Sequence, residues 1–335
     1  MNVAVIGLGL IGGSLLRALA AHGHRVAGHD MSRQTREEAR SLARAAELPP
    51  TADPGTRTIP IKGDWRVAET IPEAVAGTEL VVLAVPLPAI PGVLAELAGY
   101  PGLITDVTSV KGPVRDLLRG RRFVGGHPMA GKESSGFLAS DPHLFDGCAW
   151  VLCLEEDGTD LADWLALARL YTALGTRVVP VTAAAHDRTV AEISHVPHLL
   201  AAALSTVLAG NPLAGTLAAG SFRDGTRVAG TRPELIAAMC GGNAPAVGDV
   251  LAGIVAELQS YGRELAAPDP VAALTERLRT PSDLRRAWPA APGETAEMTA
   301  EPEALLALGR AGGWVTAVRD DKVSTMRPGS GRNGS

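Results

Sequence analysis

Apolar positions in the first 181 residues fall in short runs separated by stretches with helical spacing. Asn2–Gly7, His24–His29, Glu79–Val85, Leu103–Val107 and Phe123–Gly125 read as buried strands, because aliphatic runs this short suit strands covered on both faces. Ser14–Ala21, Ser32–Ala46 and Ile90–Leu97 lie between them with helical periodicity. This alternation predicts an α/β fold with a parallel, doubly wound sheet. Two more strands, Trp150–Glu155 and Arg177–Val181, flank a helical pattern over Leu161–Leu174. Strand signals then nearly stop, which places a domain boundary between residues 181 and 182.

From Thr182 to Arg286 the chain is rich in Ala and Leu at helical spacing, punctuated by Gly210–Pro212, Gly230–Pro233 and Gly241–Pro245. An all-helical domain over 182–290 follows. Val247–Leu258 is apolar on more than one face, which points to packing against a second subunit and hence a homodimer. The residues from 291 to 335 form a C-terminal extension, with Pro281–Pro292 before it read as a loop. Within the extension, Glu301–Arg310 reads as a helix, Trp314–Thr325 as a hairpin and Arg327–Ser335 as a mobile Gly/Ser-rich tail. Glu47–Asp64, with four prolines, reads as an inserted loop.

Composition narrows the possibilities. The chain has 335 residues, room for two domains at about 150 residues each. A net charge of −5, scattered basic residues and only 4% aromatics argue against a nucleic-acid partner. Three cysteines without a CxxC pair indicate neither a disulfide framework nor a structural zinc site, and suit a reducing cytoplasm. Val3–Ala21 is long and apolar, but Arg17 and the glycines within it argue against a signal peptide or membrane span. No membrane partner is expected.

Gly7-Leu8-Gly9-Leu10-Ile11-Gly12 follows a strand and opens a helix, the setting in which GxGxxG binds a dinucleotide. Such a turn brings the backbone close to a pyrophosphate, and the helix N-terminus supplies N–H groups and a positive dipole end. Asp30 ends the second strand, where a carboxylate accepts hydrogen bonds from the adenosine ribose and repels a 2′-phosphate. The sheet is therefore Rossmann-type and the cofactor NAD, with NADP the alternative because Arg33 stands nearby. Val85 and Pro86 end a later strand at the same edge, where a plain Pro-rich turn is an equal reading.

Three segments concentrate groups able to do chemistry. Thr105–Gly112, with Ser109 and Lys111, and Gly125–Glu133, with His127, Lys132 and Glu133, each begin at a strand end. His127 sits between glycines and a proline, exposed for a task. A neutral imidazole there could take a hydroxyl proton while a nicotinamide takes hydride from the same carbon, and Ser109 could share that bond or simply cap a helix. In Ile193-Ser194-His195-Val196-Pro197-His198 the two histidines share a helix face that Pro197 kinks. Metal binding is the rival use, but no acidic or Cys ligand cluster accompanies them. In Ser221–Arg227, a loop-like stretch, Arg227 could clamp a carboxylate with Asp224 orienting it, or the pair could be solvated surface.

Taken together these residues resemble the prephenate/arogenate dehydrogenase family of tyrosine biosynthesis. The resemblance runs from Val3 to about Arg286 through GLGLIGGS, TDVTSVKG, GGHPMAG, ISHVPH and SFRDGTRVAG, in that order. It implies NAD(P)-dependent oxidative decarboxylation of prephenate to 4-hydroxyphenylpyruvate, or of arogenate to tyrosine, by a homodimer with interlocked helical domains. Carried onto this chain, His127 resembles the residue that deprotonates the ring hydroxyl, with Ser109 assisting. His198 and Arg227 resemble substrate-binding residues, and Glu133, His195 and Asp224 match positions that shape or gate the site. Lys111, Lys132 and Arg227 would supply a local positive field for a dianion. The absence of an extra carboxylate in these motifs favours prephenate over arogenate.

Two rivals remain. A 3-hydroxyacid dehydrogenase of the 6-phosphogluconate type would need a lysine on the first long helix of the second domain, yet no Lys lies between Lys132 and Lys322. A non-catalytic NAD-sensing module would lack the gathered titratable groups.

Overall fold

The structure, a computed structural model, describes residues 1–46 and 65–329. The expected loop at 47–64 and the end of the expected tail, 330–335, lie outside those residues. The chain divides into two compact units, Met1–His186 with Ala296–Thr325, and Asp187–Thr295 with the residues from Met326 onward.

In the first unit the chain runs β1 (Asn2–Ile6), α1 (Leu10–Ala21), β2 (Arg25–His29), α2 (Arg33–Ala46), β3 (Trp65–Val67), α3 (Ile71–Val75), β4 (Leu80–Leu83), α4 (Ile90–Glu96), β5 (Leu103–Asp106), α5 (Gly112–Leu117) and β6 (Phe123–Val124). The six strands make a parallel sheet in the order β3-β2-β1-β4-β5-β6. This is the Rossmann order, with its reversal between β1 and β4. Alternation explains its layers: Val3, Val5, Leu80 and Val82 enter one core, while Ala4, Ile6, Val81 and Leu83 enter the other. Register aligns Ile6 with both His29 and Leu83, and Leu83 with Asp106, so four strand ends finish level. Val3–Ala21 is thus a strand, a turn and a helix.

The later strands do not extend this sheet. β7 (Gly126–Pro128), β8 (Ala149–Cys153) and β9 (Arg177–Val181), with α6 (Leu161–Ala173) crossing between the last two, begin a second six-stranded sheet. β7 runs antiparallel to β8, and β8 parallel to β9. The sheet is completed by β11 (Trp314–Arg319), β12 (Lys322–Pro328) and β10 (Pro292–Thr299), reached after seven helices described below. Its order is β10-β12-β11-β9-β8-β7. The expected C-terminal hairpin forms, but residues 296–325 are part of the first unit rather than a separate extension. Their apolar side chains explain why: Leu305, Leu306 and Leu308, on the last helix (Pro302–Arg310), and Val315 and Val323 join Trp164, Leu167 and Tyr171 in the larger core.

The second unit contains α7 (Ala183–Val190), whose first turns belong to the first unit, then α8 (Val196–Ser205), α9 (Pro212–Leu217), α10 (Gly220–Thr226), α11 (Pro233–Gly242), α12 (Ala244–Leu265) and α13 (Pro270–Ala287). Val196, Val247 and Val250 form its small core with Ala191. Leu204, Leu213, Leu217, Leu235, Leu258 and Leu265 are exposed. Two expectations change. Pro281 does not end α13, which continues through it to Ala287, so the expected loop at Pro281–Pro292 is helical over its first half. Ser221–Thr226 is helical rather than loop-like, within α10, where a β-carbon at Gly225 would meet Leu204 of α8 at ordinary contact distance. Residues 183–209 are long and apolar enough, by composition, to cross a membrane.

Candidate functional site

The glycine-rich turn is built by three different constraints. Gly7 takes φ +97° and its N–H donates to the carbonyl of His29 at 2.7 Å. A β-carbon at Gly12 would overlap the carbonyl of Gly7, so α1 approaches the turn only because residue 12 has none. At Gly9, by contrast, a β-carbon would meet no protein atom. A glycine there leaves open space at the helix N-terminus, and no side chain caps that helix. This cradle, with Leu10 and Ile11 starting the helix, fits a pyrophosphate.

Asp30 fastens the same turn. Its carboxylate accepts the backbone N–H groups of Leu8 and Ser32, each at 2.8 Å. Arg33, the candidate for a 2′-phosphate, is exposed and donates to Glu37 on its own helix at 2.7 Å. Val85 lies against Gly7, with Pro86 next in the chain leading to a short 3₁₀ turn. Arg17, on the inner face of α1, donates to the carbonyl and hydroxyl of Ser140, and the Ser14 hydroxyl accepts the N–H of Asp141. These bonds pin the loop after β7 onto the cofactor helix. Burial pulls the Arg17 pKa below its ordinary value, partly opposed by Asp141.

His127 lies mid-strand in β7, opposite Val151 of β8. The peptide before it is clamped twice: the N–H of Gly126 donates to Asp106 at 3.0 Å, and its carbonyl accepts from Lys111 Nζ at 2.7 Å. Lys111 also pairs directly with Asp106 and donates to Thr108 at 3.1 Å. At 1% exposure, Lys111 is not presented to a substrate as the sequence suggests. Its ammonium was drawn inside by a fully buried carboxylate five residues earlier. Ser109 is half-buried in the loop between β5 and α5. Glu133 is exposed, and Lys132 beside it pairs with Asp141 at 2.7 Å.

The side chain of His127 meets a residue that sequence reasoning missed. His127 Nδ1 lies 2.9 Å from Nε2 of His186, with the rings edge to face. His186 is 3% exposed in the first turn of α7. Glu155 accepts the N–H of Ala183 at 2.6 Å and the Thr182 hydroxyl that of Ala185 at 3.2 Å, fixing the start of that helix. Behind β7, Trp150 and Tyr171 stack at 3.9 Å, and burial pushes the Tyr171 phenol above its ordinary pKa.

The remaining candidates belong to the second unit. Residues Ala191–His195 form a π-helical turn, the local form of the kink expected from Pro197. The two histidines expected on one face differ in burial. His195 is 1% exposed and its Nδ1 lies 3.3 Å from the Asn243 amide, which also donates to the carbonyl of Asp187 at 2.7 Å. His198 is half-buried, its Nδ1 2.8 Å from the carbonyl of Ser194. Arg227 begins a 3₁₀ turn directly after α10 and is exposed, as is Asp224 on that helix.

Family models for the prephenate dehydrogenase nucleotide-binding domain and dimerization domain match residues 64–180 and 182–279. A model for NADP oxidoreductase, coenzyme F420-dependent, matches residues 2–108. The chain is 33% identical over 286 residues to the cyclohexadienyl dehydrogenase of Zymomonas mobilis, covering 80% of this chain and 89% of that one. The chain belongs to the prephenate dehydrogenase family. Among solved members, a Corynebacterium glutamicum protein provisionally named prephenate dehydrogenase is 36% identical with a TM-score of 0.73, covering 86% of this chain and 89% of that one. An Aquifex aeolicus prephenate dehydrogenase, solved with hydroxyphenyl propionate and NAD+, is 25% identical with a TM-score of 0.72, covering 85% and 97%. A Synechocystis arogenate dehydrogenase is 29% identical with a TM-score of 0.71, covering 86% and 100%. The chain spans 61% and 62% of the length of the prephenate dehydrogenases of Lactococcus lactis and Bacillus subtilis.

Proposed function

We propose that this member of the prephenate dehydrogenase family carries out NAD-dependent oxidative decarboxylation of prephenate to 4-hydroxyphenylpyruvate, in the cytoplasm and as a homodimer. One observation carries the proposal: an imidazole, His127, clamped through its backbone by Asp106 and Lys111 and through Nδ1 by His186, in the unit that holds the nucleotide cradle. When bound, NAD supplies the nicotinamide ring that accepts hydride from the carbinol carbon. His127 takes the hydroxyl proton as that carbon becomes a carbonyl, with Ser109 sharing the hydrogen bond. The electrons of the C–CO2 bond then enter the ring as CO2 leaves, the carbonyl oxygen becomes a phenolate that takes the proton back from His127, and aromatisation makes the step irreversible.

Under this reading His198 and Arg227 bind the substrate, Arg227 through a bidentate pair with a carboxylate, while Asp224 and Glu133 shape the pocket. His195, buried beside Asn243, holds the π-helical turn. Exposed leucines on α8 to α12, within the family's dimerization domain, support the homodimer. Three cysteines without a CxxC pair, Cys148, Cys153 and Cys240, accord with a cytoplasmic setting. Similarity to the Synechocystis arogenate dehydrogenase supports a second reading, arogenate oxidation to tyrosine. Steady-state kinetics with prephenate and arogenate, each with NAD and NADP, test the proposal. It expects the highest kcat/KM for prephenate with NAD; a higher value for arogenate selects the second reading, and no turnover of either overturns both.

A further inference from the structure

The geometry points to His186 as a positioning residue that sets the tautomer of His127. The inference rests on the proposed role of His127 as proton acceptor. An imidazole has two ring nitrogens, and a neutral one carries its proton on one of them. Nδ1 of His127 is committed to His186 Nε2 at 2.9 Å, so the nitrogen that engages a substrate hydroxyl is Nε2. For Nε2 to accept a proton, Nδ1 must carry one and donate it, which requires an unprotonated Nε2 on His186. The two rings then form an ordered chain: the hydroxyl donates to His127 Nε2, and His127 Nδ1–H donates to His186 Nε2. When His127 takes the hydroxyl proton it becomes an imidazolium, and the His186 lone pair stabilises that charge.

Three features suit His186 to this task. It is buried at 3% exposure, so bulk water does not compete for the bond. Its helix start is fixed by Glu155 and Thr182, so its ring is held in place. The edge-to-face arrangement, with centroids 5.1 Å apart and planes at 76°, aims an in-plane nitrogen of one ring at the other. His186 therefore plays for His127 the part a carboxylate plays for other catalytic histidines: it fixes ring orientation and proton placement.

Two variants and one spectroscopic measurement test this. His186→Ala should lower kcat about 100-fold with KM within about threefold of the parent, since the fault lies in the base and not in binding. His186→Gln, whose side-chain oxygen can reach the Nε2 position and accept the same bond, should remain within about tenfold of the parent kcat. Nitrogen-15 NMR of labelled histidine, with the His127 signals identified by His127→Asn, should show protonated Nδ1 in the parent and a tautomer mixture in His186→Ala. A kcat within about twofold of the parent for His186→Ala overturns the inference. So does an equal loss of kcat in both variants accompanied by loss of NAD+ binding, which marks a structural role. If His186→Ala does not fold, the NMR of the parent decides, and a His127 protonated only at Nε2 overturns the inference. A parent inactive on both substrates defeats the functional reading, while the same NMR measurement still tests the histidine pair.

Discussion

A β-carbon has room at Gly9 and none at Gly12, and that contrast separates a ligand requirement from a packing one. Gly9→Ala should change stability by no more than about 1 kcal/mol yet weaken NAD+ binding about tenfold or more. Gly12→Ala should cost about 3 kcal/mol or more of stability, because the new carbon overlaps a backbone carbonyl. Thermal denaturation and NAD+ titration distinguish the two. Lys111→Met tests the buried pair: stranding Asp106 should cost about 3–5 kcal/mol in urea denaturation. Adding Asp106→Asn should restore part of that. The glycine turn was legible in the sequence because GxGxxG spacing between a strand and a helix is local, whereas His127, read as exposed, lies half-buried mid-strand in β7. Lys111 was misread because a lysine in such a loop resembles an anion binder until its buried carboxylate partner is placed. His186 carried no local signal, since it meets His127 across 59 residues and from the helix that follows β9.

Among the elements, the turn before α8 ties local sequence to backbone form most directly. Pro197 cannot donate to the carbonyl of Ile193, and the backbone widens into a π-helical turn over Ala191–His195. Three-residue spacing put His195 and His198 on one helix face; the structure buries His195 beside Asn243 and leaves His198 half-buried. Pro197→Ala should let the regular helix re-form, leaving Tm unchanged or raised while KM for the substrate rises. A lowered Tm with unchanged KM contradicts this. Helix α10 escaped sequence analysis because Gly220 and Gly225 read as loop signals, whereas a β-carbon at either would meet no close contact and the helix tolerates both.

At the scale of the whole molecule, five strands of the parallel sheet were legible because each is a local apolar run, whereas β3, only three residues long at Trp65–Val67, was not. The second sheet was not, since β11 pairs with β9 from more than a hundred residues away and no local pattern encodes that partner. Truncation after Ala290 would remove β11 and strip the large core of Leu305, Leu308, Val315 and Val323. The truncated chain should aggregate or unfold at a lower temperature in thermal scans, although every candidate site residue is retained. Native-like stability of that truncation would contradict the placement of residues 296–325 in the first unit.

The most direct measurement of the central claim is the turnover of His127→Asn with prephenate and NAD, alongside its NAD+ affinity. If His127 accepts the hydroxyl proton, kcat should fall by about 10³-fold or more while NAD+ binds as in the parent. A kcat within about tenfold of the parent, with cofactor binding intact, would contradict the account.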